Sequence, residues 1–272
     1  MVEEKAAAKK LRPRRIEAAH STFRAALAHN AVTEESASFW IKLAQLTRDS
    51  SYLLTLTSDL VNGDFKRNVS IWRERLLQVA TSEIDDEDEK TRMCEAEMDR
   101  ALSLVPAKES LPLWNFALEW NVINQPMDKV QALFEKSVTQ TPEVAGPCKT
   151  AYLKWASLHL DVKAVRKIFK KLSVSQPLSV EFFRTYVDIE NSQVNPSMKR
   201  IHAAFDSAVS YFGSTDTDLW MDYLRLASLH PMGCPEKVGQ IYFKAKNQLD
   251  DQHIERFIAQ YTLFQAGHSA TS

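Results

Sequence analysis

Glycine, proline and cysteine are all scarce in this chain. Its 272 residues include six glycines, ten prolines and three cysteines. So few glycines argue against a sheet rich in tight hairpins, because those turns favour glycine, and they suit helices joined by short turns. The cysteines, Cys94, Cys148 and Cys234, match no disulfide or zinc spacing, which predicts buried, reduced thiols.

Long apolar runs and a surplus of charge are missing too. No stretch approaches the roughly 18 to 20 apolar residues of a membrane span, and the charged N-terminal segment lacks the apolar region of a secretion signal. The formal net charge is −1, whereas proteins that bind nucleic acid mainly through phosphate carry a strong basic surplus. We therefore expect an intracellular protein with no membrane partner, in which any RNA contact is secondary.

Signatures of catalysis are absent from the sequence. It has no phosphate-binding glycine-rich loop, no nucleophile elbow, no HExxH pair and no close Cys/His pair with metal spacing. The seven histidines are scattered and are typical of surface or helix-end positions. The sequence predicts a protein that is not an enzyme, with no catalytic residues, no metal site, no cofactor and no small-molecule substrate.

What the sequence does contain is a repeat. Bulky residues, here called anchors, recur at intervals of 36, 35, 36 and 37 residues; they are Met98, Phe134, Phe169, Phe205 and Tyr242. A base follows most anchors by two residues, and a proline or glycine follows the first four by eight; these are Arg100, Lys136, Lys171 and Lys244, and Pro106, Pro142, Pro177 and Gly213. A period of this length is that of a two-helix unit, so the sequence predicts an all-α fold, an α-solenoid of antiparallel helix pairs in which the prolines end the anchor helices.

The first helix of each unit, which precedes the anchor helix, carries aromatic or bulky residues three positions apart. This spacing places them on one helix face. Together with the anchors they form the predicted repeat core: Trp114, Phe134, Tyr152, Trp155, Phe169, Phe183, Tyr186, Phe205, Trp220, Tyr223 and Tyr242. Such rings also stack on bases in single-strand binders. Their helical phase favours the core, and the aromatic residues out of phase are Trp120 and Phe182.

The repeat also suggests boundaries. We expect a basic, flexible segment over residues 1–14, a solenoid over 15–266, and a polar C-terminal tail over 267–272. Units are degenerate to about residue 90 and regular over 91–266, and only a weak helix is predicted over 51–64. The acidic run over residues 83–89 is predicted to be a mobile loop.

One predicted helix carries a basic stripe. Five bases recur at i, i+3, i+4, i+7 and i+8 and share one side of the helix: Lys163, Arg166, Lys167, Lys170 and Lys171. They are candidates for contact with RNA phosphate or an acidic partner. The alternative is an ordinary solvated helix face.

The details of the repeat distinguish between families. Tetratricopeptide units need a small residue four positions after the aromatic residue of the first helix, and only Ala156 meets this among Leu118, Ala156, Val187 and Leu224. The paired aromatic residues, the base two after the anchor and the proline eight after it resemble the half-a-TPR (HAT) repeat, most clearly in residues 132–142 and 219–226. Ala117 and Ser207 depart from the HAT pattern.

This resemblance implies a scaffold in an RNA-processing assembly. The C-terminal helices, with Val238, Tyr242 and Phe257, are similar to those of HAT proteins in the UtpB module of the small-subunit processome. That similarity implies a nuclear, nucleolar protein that binds WD40-propeller subunits and supports maturation of the 18S ribosomal RNA precursor. Such proteins are longer, so this chain would be a C-terminal part or a shortened form. The alternatives are a spliceosomal or mRNA 3′-end HAT scaffold and a peptide-binding adaptor of tetratricopeptide type.

Overall fold

The computed structural model describes the backbone of residues 2–82 and 84–269, with side chains for residues 13–82 and 84–267. Within these ranges there are α-helices, two short 3-10 turns and no strand, so the all-α prediction is confirmed there. The helices are α1 (Val2–Ala28), α2 (Glu34–Thr47), α3 (Ser50–Asn62), α4 (Val69–Ala80), α5 (Glu87–Leu104), α6 (Leu111–Asn124), α7 (Met127–Ser137), α8 (Pro142–His159), α9 (Val162–Leu172), α10 (Val180–Asn191), α11 (Met198–Phe212), α12 (Thr217–Leu229), α13 (Val238–Gln248) and α14 (Asp251–Ser269). None of the described helices is both long and apolar enough to cross a membrane.

The chain divides into two compact units, residues 1–145 and 146–272. In unit 1, helices adjacent in sequence pack against each other, and α4 also packs against both α2 and α6. Its core is continuous across these helices, with Trp40, Trp72 and Leu76 among the most deeply buried side chains. The central position of α4 between α2 and α6 sets the geometry of the groove described below.

Unit 2 is organised around α12, which packs against α11, α13 and α14. The ring of Trp220 on α12 is fully buried, and its Nε1–H donates a hydrogen bond to the carbonyl of Gly213, at 2.8 Å. A Cβ at Gly213 would lie 2.4 Å from the Val209 carbonyl oxygen and 3.0 Å from the Trp220 ring. The close approach of α12 to the end of α11 therefore requires glycine at this position.

Side-chain caps fix where many helices begin. Asp161 and Asp216 accept hydrogen bonds from Ala164 N (2.7 Å) and Leu219 N (2.9 Å). Ser197 is the N-cap residue of α11 but makes no capping side-chain bond. Further caps of this kind are made by Thr33, Asp49, Asn68 and Ser179. Each satisfies a backbone donor that the first helical turn leaves without a partner.

The prediction of a mobile loop over residues 83–89 is wrong from Glu87 onwards. The side chain of Asp86 caps α5 by accepting from the backbone N–H groups of Asp88 (2.9 Å) and Glu89 (3.1 Å). The acidic residues that follow lie in the first turn of α5, where the helix dipole favours negative charge. Glu83 lies outside the described residues.

Three other predicted segments have the following structure. The helix predicted only weakly over 51–64 is present as α3, which ends at Asn62, because Asp49 caps it and Leu56 and Leu60 are buried. Helix α7 ends at Ser137, and Pro142 begins α8 instead of ending α7. Proline suits the first helical position because a backbone N–H there has no acceptor within the helix. Residues 2–14 are helical and continue α1. Helix α14 extends to Ser269, so 267–269 of the predicted polar tail are helical, and 270–272 lie outside the described residues.

Candidate interaction surfaces

Most of the predicted core residues are buried. The buried set is Trp114, Phe134, Tyr152, Trp155, Phe183, Tyr186, Phe205, Trp220 and Tyr223. Phe169 and Tyr242 are half-buried, and each stacks on another ring: Phe169 on Tyr186, with centroids 3.6 Å apart, and Tyr242 on Phe257, at 5.6 Å. The out-of-phase residues Trp120 and Phe182 are buried too. These rings offer little open face for stacking on bases.

The bases that follow the anchors contact neighbouring helices. Lys136 on α7 lies 3.9 Å from Asp99 on α5, and Lys244 on α13 lies 2.9 Å from Asp206 on α11. Each of these aspartates directly follows the preceding anchor in sequence. Because the pairs are exposed, each contributes at most about 1 kcal/mol. They link successive anchor helices within each unit.

Arg166, one of the five bases predicted for the basic stripe of α9, forms an ion pair. Lys163, Lys167, Lys170 and Lys171 are exposed. Arg166 instead holds Glu190 of α10 through two hydrogen bonds, with Nε 2.9 Å from Oε2. We therefore define the lysine stripe as the four exposed lysines of α9.

The Glu190 carboxylate explains the position of Arg166. Only 1% of its surface is exposed, and it also accepts hydrogen bonds from Ser197 N (3.1 Å) and Tyr186 Oη (3.4 Å). Burial by itself would raise the pKa of Glu190, but the hydrogen bonds from Arg166 and Ser197 outweigh it and lower the pKa. The carboxylate is thus held in its charged form as a link between α9, α10 and the start of α11.

A groove of about 1020 Å³ lies in unit 1; α2, α4 and α6 form it, and it is here called the α2–α4–α6 groove. Helix α4 lies between the other two and contributes Ser70, Arg73 and Leu77 among its lining residues. The α2 wall is polar and consists of Ser38, Lys42 and Gln45. The α6 wall is mainly apolar and consists of Leu111, Pro112, Asn115, Phe116, Glu119, Trp120 and Ile123.

The two bases that line this groove have no ionic partner among the described side chains. Lys42 and Arg73 are exposed, and neither forms an ion pair with a described side chain. Glu74 accepts a hydrogen bond from Gln45, at 3.3 Å. Ile123, at the end of the apolar wall, is 81% exposed. The groove therefore presents unpaired positive charge on α2 and α4 and exposed apolar surface on α6.

Unit 2 has a smaller groove, of about 530 Å³, between α10 and α12. Its charged residues already pair with each other: Arg184 lies 2.8 Å from Asp222, and Arg225 lies 3.3 Å from the same carboxylate. Burial, with the nearby negative charges of Glu181 and Asp222, raises the pKa of Asp188. This groove offers fewer unpaired groups to a partner than the α2–α4–α6 groove does.

A buried lysine that the sequence pattern did not single out lies beside α9. Lys149 on α8 is 1% exposed, and its Nζ donates to the carbonyls of Leu172 (3.2 Å), Ser175 and Pro177 (3.1 Å). Burial lowers its pKa. Helical phase could have indicated that Lys149 is buried, because it lies three residues before the buried Tyr152 and shares its helix face.

The described residues contain no group of three or more His, Cys, Asp and Glu side chains able to hold a metal ion. Cys94 and Cys148 are buried and Cys234 is half-exposed, so the expectation of buried thiols holds for two of the three. Burial raises the pKa of Cys94 to about 11, which keeps it a thiol at neutral pH and unreactive as a nucleophile.

Comparison with known proteins identifies the family. Residues 1–249 match the family described as "U3 small nucleolar RNA-associated protein 6 C-terminal". The U3 small nucleolar RNA-associated protein 6 homolog of Mus musculus is 31% identical over 259 residues, 95% of this chain and 42% of the mouse protein. The homolog of Homo sapiens is 36% identical over 159 residues, 58% of this chain and 27% of the human protein.

This chain spans less than half the length of either relative. The match nevertheless runs through both units, from α1 to the end of α13. The chain belongs to the U3 small nucleolar RNA-associated protein 6 C-terminal family.

Proposed function

We propose that this protein is a non-catalytic scaffold of the U3 small nucleolar ribonucleoprotein and the small-subunit processome. Its helix pairs stack as a HAT-type solenoid over residues 15–266, and its surfaces bind other protein subunits, WD40-propeller proteins among them. Through these contacts it supports processing of the 18S ribosomal RNA precursor in the nucleolus. The observation that carries the proposal is the family match over residues 1–249.

Two features of the structure support a scaffold. Ion pairs connect alternate helices within each unit, as Lys136–Asp99 and Lys244–Asp206 do, which is the arrangement expected of stacked helix pairs. Outside the core, the chain presents an open groove and a lysine stripe, both exposed to solvent. In a solenoid such surfaces are where partners bind.

Co-purification tests the proposal. The full chain with an affinity tag would be expressed in human cells, and the RNA and proteins that elute with it would be quantified against a tag-only control. We expect enrichment of U3 small nucleolar RNA over spliceosomal RNAs, together with WD40-propeller subunits of the processome. Enrichment of spliceosomal RNA or of mRNA 3′-end factors would favour the alternative HAT scaffolds. Absence of any pre-ribosomal component would refute the proposal.

RNA contact is a secondary part of the proposal and belongs to the lysine stripe. Changing Lys163, Lys167 and Lys170 to Gln should weaken binding of a short single-stranded RNA and reduce its salt dependence. For single strands each lost phosphate contact lowers the slope of log K against log salt by about 0.7, so the triple variant should lose about 2. Fluorescence anisotropy across a salt series measures this slope.

A charge-matched control uses exposed lysines away from α9. Changing Lys108, Lys129 and Lys237 to Gln removes the same charge and should leave the slope of log K against log salt close to that of the parent chain. Equal slopes for the two triple variants would show that the stripe is an ordinary solvated face. Arg166 is left intact in both, because its loss would disturb the buried Glu190.

A further inference from the structure

The α2–α4–α6 groove is large and elongated. Its volume of about 1020 Å³ lies at the upper end of the roughly 300–1,000 Å³ of typical small-molecule sites. Its apolar wall runs along α6 from Phe116 to Ile123, about 10 Å at the rise of an α-helix. That length corresponds to two turns of a helix laid alongside α6.

The groove's two walls require an occupant with two different sides. Ile123 is 81% exposed on the α6 wall, where it remains in contact with water unless a partner covers it. Lys42 lies on α2 and Arg73 on α4, and neither has an acidic partner among the described side chains. An amphipathic helix meets both demands, since its apolar stripe and its charged flank lie on different sides.

RNA fits the same groove less well. Its lining holds two acids, Glu74 and Glu119, beside its two bases, so it lacks the basic surplus of a surface that binds phosphate groups. The aromatic side chains of the apolar wall are also closed to base stacking, because Trp120 is only 9% exposed and Phe116 is half-buried. Charge and ring exposure together favour protein over nucleic acid.

We propose that the α2–α4–α6 groove binds an amphipathic helix of a protein partner, with the helix's apolar stripe against α6 and acidic residues facing Lys42 and Arg73. The proposal deepens the scaffold function by naming one docking surface and the chemistry of its occupant. It rests on that function only in requiring a protein partner. It does not depend on which ribonucleoprotein contains the chain.

Photo-crosslinking in cells tests the groove directly. A photoreactive phenylalanine analogue would replace Asn115, an exposed groove residue, in the tagged full chain, and crosslinked peptides would be sequenced by mass spectrometry. The matched control places the analogue at Thr55, which is exposed on α3 outside the groove. We expect crosslinks from position 115 to a segment with apolar residues at helical spacing and a surplus of Asp and Glu.

Two groove variants and one control then test the assigned contacts. Ile123→Asp, and separately Lys42→Glu with Arg73→Glu, should each lower the crosslinking yield by about tenfold, as expected when an interface contact is replaced by an unfavourable charge. Leu46→Asp, at an 85% exposed position on α2 outside the groove lining, should leave the yield unchanged. All altered side chains are exposed, so thermal melting should match that of the parent chain.

The possible outcomes distinguish failure of the groove proposal from failure of the scaffold function. Crosslinks to RNA, to a second copy of this chain or to a basic segment, or a yield no higher than at Thr55, would overturn the groove proposal. If U3 RNA still co-purifies in that case, the scaffold function stands without this docking site. Loss of U3 RNA from the parent chain would instead refute the proposed function, whatever the groove binds.

Discussion

Replacing Trp220 by alanine should destabilise unit 2 by about 4 kcal/mol, within the roughly 3–5 kcal/mol observed when a buried aromatic side chain is cut to alanine. The ring is fully buried on α12, the helix around which unit 2 is organised. The variant also removes the donor to the Gly213 carbonyl. Guanidinium unfolding followed by circular dichroism measures the loss as a lower midpoint for unit 2.

Two further variants separate the causes of that loss. Trp220→Phe keeps most of the ring volume but removes the hydrogen bond to Gly213, and should cost roughly 1–3 kcal/mol for the carbonyl left without its donor. Phe243→Ala removes a ring that is 64% exposed on α13 and should change stability by no more than about 0.5 kcal/mol. Equal midpoints for Trp220→Ala and Phe243→Ala would contradict a core role for this residue.

Helical phase predicted much of the fold because it reports which side of a helix is buried. Trp220 and Tyr223 lie on one face of α12, and both are buried with the anchor Phe205 of the preceding helix. The ring of Phe205 stacks on that of Tyr223, with centroids 4.7 Å apart. Periodicity of this kind is visible in one sequence, since it depends only on contacts that every unit repeats.

Local propensity was a weaker guide. Helix α3 is rich in Ser and Thr, which favour helices less than Ala or Leu does, so the pattern predicted it only weakly. Burial of Leu56 and Leu60 and the cap from Asp49 outweigh that preference. The acidic run before α5 was likewise judged by its charge alone, whereas Asp86 uses a carboxylate as a cap.

The interaction surfaces were the least predictable part. Arg166 has the spacing of the lysine stripe, but it turns toward Glu190, which lies 24 residues away in sequence. The α2–α4–α6 groove brings together residues from three helices whose relative positions no single periodicity encodes. Exposed residues also do not follow the repeat pattern, because they take no part in the core packing that recurs in every unit.

Lys149 shows how far a charged side chain can depart from the usual surface position. Its ammonium lies at the C-terminal end of α9, where the last carbonyls of a helix have no partners within the helix. It donates to the Leu172 and Pro177 carbonyls and, at 3.0 Å, to the Ser175 hydroxyl. The negative end of the helix dipole further favours a cation there.

Changing Lys149 to methionine, which keeps the length of the side chain, should therefore destabilise unit 2 by about 3 kcal/mol. The buried Leu172 carbonyl left without a donor costs roughly 1–3 kcal/mol, the part-buried Ser175 and Pro177 carbonyls add to it, and relief from burying the ammonium offsets only part of the total. The control is Lys154→Met on the same helix, where an exposed pair with Glu181 at 3.3 Å contributes at most about 1 kcal/mol. Urea unfolding of the two variants beside the parent chain measures the difference. A Lys149→Met protein as stable as Lys154→Met would show that solvent, and not this lysine, satisfies the end of α9.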